Sequence, residues 1–77
     1  MREWLVALRK NKGYSQEFMG KQLGVTRQQY SYIENMDRQE ELRLTVASKI
    51  VKIFGQKQIT LKKIAEYEEA LKQKGES

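Results

Sequence analysis

Residues 15–35 read SQEFMGKQLGVTRQQYSYIEN, and the spacing inside this stretch decides the fold. Ser15 offers an N-cap. Gln16 and Glu17 fill a first helical turn, where an acidic group favours the helix dipole. Phe18, Met19 and Leu23 follow on one face. Gly24 ends this helix, because glycine takes the left-handed conformation that closes a helix. One residue later Thr26 can cap a second helix, with Tyr30 and Ile33 facing inward and Asn35 as a terminator. Only the residues GVT separate the two helices. So short a connection cannot fold the second helix back antiparallel and instead forces a steep crossing. Gly24 supplies a positive φ at the turn, Gly20 is small where the helices approach, and Val25 can plug the gap between them. Three long polar side chains, Arg27, Gln28 and Gln29, then open the second helix together.

Outward from this stretch the pattern stays helical, and strand-like alternation is weak. Upstream, Leu5, Leu8 and Trp4 step along one face, basic residues gather at the end, and Gly13 stops the run. Downstream, MDRQEELR reads as a polar loop. Thr45 can cap a helix carrying Val46, Ala47, Ile50, Ile53 and Phe54, closed by Gly55. Thr60 can cap the last helix, on which Leu61, Ile64, Tyr67 and Leu71 share one side. The expectation is an all-α domain of five helices, roughly 2–12, 15–23, 26–34, 45–54 and 60–73. Residues 1–56 would form the main domain, and residues 57–77 a C-terminal helix that completes the core and offers a dimer surface.

Composition narrows the chemistry. A chain of 77 residues suits one small domain with a limited core. It holds no His and no Cys, which excludes disulfides, thiolate or imidazole metal sites, thiol nucleophiles and histidine bases. Its carboxylates show no clustered site and it has no Gly-rich phosphate loop, so neither an enzyme, a cofactor nor a metal is expected. The net charge is +5 and the pI about 9.6, a balance that suits a polyanion. The excess is concentrated in residues 1–55, at +4, rather than in a basic tail. No apolar run approaches the ~20 residues that span a bilayer. The N-terminal stretch MREWLVALRKNK does not build a signal peptide. A cytoplasmic protein without a membrane partner is expected.

The stretch from Ser15 to Asn35 resembles the helix-turn-helix of the Cro/C1-type phage repressor family, also called the XRE family. Gln16, Gly20, Leu23, Gly24, Val25, Thr26, Ile33, Glu34 and Asn35 occupy that family's positions. So do Leu8 and Arg9 before the motif, and the helix ending Ile53-Phe54-Gly55 after it. The resemblance covers roughly residues 5–55. It implies a lambda-repressor-like domain whose third helix lies in the DNA major groove with its first turn against base edges. On that reading Arg27, Gln28, Gln29, Ser31 and Tyr32 contact bases, Gln28 foremost. Glutamine pairs a donor and an acceptor that match adenine N6 and N7, and the arginine fork matches guanine O6 and N7. Gln16, Ser15, Lys12, Thr26, Arg38 and Arg43 would hold the DNA backbone, and Arg9 with Glu34 would form a structural ion pair. The implied partner is a palindromic double-stranded operator bound by a homodimer through Leu61, Ile64, Tyr67 and Leu71. The implied activity is transcriptional regulation, of the phage or mobile-element repressor type.

Three features depart from the family pattern. Met36 follows Asn35 where glycine is common. The loop from Met36 to Arg43 carries Asp37, Glu40 and Glu41, which phosphate would repel. Tyr30 replaces an aliphatic core residue, and its hydroxyl needs a polar outlet. The main alternative is a protein-interaction module of antitoxin or anti-repressor type, acting on a regulatory protein partner through the last helix. RNA binding is less favoured, because Tyr14 and Tyr32 do not form a stacking platform.

Overall fold

Among the described residues, glycines and hydroxyls punctuate five helices: α1 (Glu3–Lys12), α2 (Gln16–Leu23), α3 (Arg27–Asn35), α4 (Leu44–Phe54) and α5 (Leu61–Gly75). The computed structural model describes residues 1–35 and 42–75, with side chains described through residue 71. The chain divides into two compact units, Met1–Glu40 and Glu41–Ser77.

In the first unit, α1 and α2 both pack on α3. Leu5, Met19, Leu23 and Tyr30 are buried there. Helix α2 begins as the sequence indicates: the Phe18 amide N–H donates to Ser15 Oγ at 3.0 Å. It ends in a glycine closure of Schellman type. Gly24 sits at φ 73°. The Val25 N–H donates to the Gly20 carbonyl at 2.9 Å, and the Gly24 N–H to the Lys21 carbonyl at 3.3 Å. Gly20 is needed at this turn. A Cβ built on it would lie 3.0 Å from the Val25 carbonyl oxygen and 3.2 Å from that of Thr26. The missing side chain therefore lets α2 touch the backbone that launches α3.

Several boundaries and packing assignments differ from the sequence expectation. Arg2 is the residue before α1 rather than its first helical residue. It is only 3% exposed. Its backbone N–H donates to the Glu34 carbonyl at 2.7 Å, and its Nη1 donates to the Ile33 carbonyl at 2.6 Å. The last carbonyls of a helix lack intrahelical partners; Arg2 supplies two and ties α1 to the end of α3. Asn35 is the last residue of α3. Phe18 is 38% exposed and stacks on Tyr14, with ring centroids 4.6 Å apart, so Met19 and Leu23 carry the inner face of α2. Leu8 and Ile33 are half-buried.

In the second unit, α4 packs on α5. Ala47, Ile50, Phe54, Ile59 and Ile64 are buried. Helix α4 starts one residue early: Arg43 precedes it without a side-chain cap, and Thr45 lies within its first turn. Ile59, which falls between the two helices expected at 45–54 and 60–73, is 2% exposed. The Gln58 and Ile59 amides donate to the Gly55 carbonyl at 2.9 and 3.1 Å, a tight turn that directs Ile59 inward. Thr60 caps α5, its Oγ1 accepting from the Lys63 N–H at 3.2 Å. Among the described residues, no helix is long and apolar enough to cross a membrane.

Candidate nucleic-acid interface

The first turn of α3 is held from both sides. Thr26 Oγ1 accepts from the Gln29 N–H at 3.0 Å, and Gln29 Oε1 accepts from the Thr26 N–H at 2.9 Å. This reciprocal pair is a capping box, which satisfies two amides that a helix start otherwise leaves open. The pattern Thr-x-x-Gln was present in the sequence from Thr26 to Gln29 and is the signal that foretells it. Gln29 is exposed, but its carbonyl oxygen is committed to the turn, so base contact by that atom competes with capping.

Arg27 and Gln28 are exposed on the same turn. Gln28 Nε2 donates to the Tyr32 hydroxyl at 2.8 Å, four residues on and therefore on the same helix face. Ser31 and Tyr32 are half-buried. Ser31 Oγ accepts from Asn35 Nδ2 at 3.2 Å. The structure thus pairs Gln28 with Tyr32, leaves Arg27 exposed on the same turn as Gln28, and gives Gln29 and Ser31 local partners.

Behind this surface sits one buried carboxylate. Glu34 is 2% exposed and accepts four hydrogen bonds. Its Oε2 takes Arg9 Nε and the Tyr30 hydroxyl, each at 2.6 Å. Its Oε1 takes Gln16 Nε2 at 3.1 Å and Arg9 Nη2 at 3.3 Å. Arg9 Nη1 also donates to the Tyr14 carbonyl at 3.0 Å. Donors from α1, α2 and α3 therefore converge on a single group. Burial alone would raise the Glu34 pKa; the hydrogen bonds from Arg9, Tyr30 and Gln16 outweigh it and hold the carboxyl below its ordinary value. Burial, then the bond to Glu34, pushes the Tyr30 phenol well above its ordinary value. The hydrogen bond to Glu34 raises Arg9 further, so it stays charged. No buried side-chain polar atom lacks a partner among the described residues.

The network gives Tyr30 the outlet its hydroxyl requires. It also places Gln16 differently from a simple phosphate clamp: its amide nitrogen faces inward to Glu34, and the residue is half-buried. Sequence reasoning missed Arg2 altogether, since a charged residue beside the chain start reads as surface.

The remaining backbone candidates lie outside. Lys12, Ser15, Thr26 and Arg43 are exposed. Arg38 falls outside the described residues. On α5, Leu61 and Tyr67 are 44% and 40% exposed. Leu71 is half-buried. Ile64, at 4% exposure, is covered by this chain itself.

Two short helices joined through a glycine closure, the second opening on exposed Arg27 and Gln28, define a helix-turn-helix protein. A family comparison matches residues 5–60 to the helix-turn-helix family, and the chain belongs to its Cro/C1 (XRE) type. It is accordingly a DNA-binding regulatory protein that takes double-stranded DNA as partner. No curated protein and no solved structure matches the chain.

Proposed function

We propose that this protein is a sequence-specific transcriptional repressor, of phage or mobile-element type, that reads the DNA major groove with the first turn of α3. The observation that carries this reading is the exposure of Arg27 and Gln28 at the start of a helix fixed by its own cap. Arg27 suits a guanine edge or a phosphate, and Gln28 suits adenine. Lys12, Ser15, Thr26 and Arg43, all exposed, are the phosphate partners; Gln16 supports the site through Glu34 and reaches the backbone from the start of α2. Helix N-termini favour phosphate through free amides and the dipole.

Residues 1–56 form the DNA-binding domain in this proposal, and residues 57–77 the dimer element. One small domain discriminates few base pairs, and two copies on half-sites about one DNA turn apart multiply that discrimination. Leu61, Tyr67 and Leu71 supply apolar surface for such a contact. Repression then follows from occupying a palindromic operator and excluding polymerase.

Selection of bound duplexes from a random pool tests the proposal. The expected result is a two-fold symmetric consensus that loosens at one position per half-site for Gln28→Ala. Equal affinity of the unsubstituted protein for every duplex would remove it. The protein-interaction alternative rests on the same exposed α5 residues, and salt-dependent binding to one DNA sequence separates the two.

A further inference from the structure

Gln28 and Tyr32 form a side-chain pair on the exposed face of α3. A glutamine amide carries two N–H donors and one carbonyl acceptor. The bond from Nε2 to the Tyr32 hydroxyl uses one donor, at 2.8 Å. One N–H and the carbonyl oxygen remain, and adenine's N7 and N6–H₂ require that combination. A free glutamine on a helix surface samples many rotamers, and holding it still on binding weakens the complex. The Tyr32 side chain turns about only two torsions and is half-buried, so its hydroxyl is more restricted than a glutamine amide on a free surface. Gln29, by contrast, turns its carbonyl back to the Thr26 N–H at 2.9 Å. The two neighbouring glutamines are thus oriented by different anchors and present different atoms.

We infer that Tyr32 is a specificity-determining positioning residue, which acts by orienting the Gln28 amide toward adenine rather than by touching a base itself. The inference rests on the proposed major-groove reading and refines it. Tyr32 contributes aim, Gln28 contributes the hydrogen bonds, and Gln29 contributes helix initiation. Base discrimination is then concentrated on Arg27 and Gln28.

The test is a two-by-two set: the unsubstituted protein, Tyr32→Phe, Gln28→Ala and the double variant. Each is titrated against a selected duplex and against its three substitutions at the base pair where Gln28→Ala loosens preference. Binding to an unrelated duplex is measured alongside. A bidentate amide–adenine pair discriminates by about 5- to 150-fold. Tyr32→Phe keeps the ring and its packing but removes the hydroxyl. It is expected to lower that discrimination by about 2- to 12-fold, the effect of one newly mobile long side chain. Binding to the unrelated duplex stays the same, and the effect vanishes in the Gln28→Ala background. Unchanged discrimination in Tyr32→Phe would overturn the inference while leaving the major-groove reading intact. So would a loss that persists undiminished without Gln28, which would instead mean a direct base contact by Tyr32. An unsubstituted protein that prefers no duplex would overturn both.

Discussion

Truncating the buried carboxylate, Glu34→Ala, removes the group on which three helices converge. Arg9 loses two hydrogen bonds, and Tyr30 and Gln16 lose one each. The side chains of Arg9 and Glu34 are 13% and 3% exposed, so the vacancy is shielded from bulk water. Removing one partner of a buried ion pair typically costs about 3–5 kcal/mol, because the other charge is left without compensation. An exposed pair would cost under about 1 kcal/mol. For 77 residues the whole folding stability is on the order of 4–12 kcal/mol. The substitution thus removes a large share of it. At ~4–8 °C per kcal/mol in a domain this size, the melting temperature should fall by about 12–40 °C. Thermal unfolding followed by circular dichroism at pH 7 reads this directly. Arg9→Met paired with Glu34→Gln in a double-mutant cycle then isolates their coupling. A Glu34→Ala protein melting within a few degrees of the unsubstituted one would refute the argument that this network holds the first unit together.

Three further outcomes are expected. Stability should fall at both ends of the pH scale: the depressed Glu34 carboxyl contributes stability that is full above about pH 4.3 and lost as pH falls through its lowered value. The raised Tyr30 phenol contributes stability that is full below about pH 10 and lost as pH rises beyond it. Denaturant midpoints across the pH range check both: the acid limb should flatten in Glu34→Gln and the alkaline limb in Tyr30→Phe, and limbs unchanged from the parent would contradict the assignment. Gly20→Val should destabilise by about 1–3 kcal/mol, since even its Cβ would meet the Val25 carbonyl at 3.0 Å; urea unfolding measures it, and an unchanged midpoint would show that the close approach yields readily. Lys12→Gln should weaken binding to all duplexes alike and reduce the slope of log affinity against log salt by ~1 per protomer, as a phosphate contact does; a sequence-selective loss would argue for a base contact instead.

Local punctuation was the most legible part of the sequence. Gly13, Gly24 and Gly55 end helices where their positions suggest, because a positive φ is a demand that few residues meet. Ser15, Thr26 and Thr60 cap helices because a hydroxyl one step before a helical run has a local partner to bind. Pairings across the chain were less so. That Arg9 stands beside Glu34 was implied by resemblance, but Gln16 and Tyr30 joining the same carboxylate depends on where three helices meet. The inward turn of Arg2 follows from orphaned carbonyls at the end of α3, which no local pattern reveals. Phe18 misled because an eight-residue helix offers few turns to define its buried face, and its ring found Tyr14 instead. The side-chain bond between Gln28 and Tyr32 is four residues in span and could have been anticipated; the assignment of both to base contact obscured it.

The central claim is that the opening turn of α3 enters the major groove. Dimethyl sulfate modifies guanine at N7, which faces that groove, and adenine at N3, which faces the minor one. On a selected duplex the protein should shield guanine N7 within each half-site and leave adenine N3 reactive, and Arg27→Ala should expose that guanine again. Shielding of adenine N3 with guanine N7 left open would place the protein in the wrong groove and contradict the account.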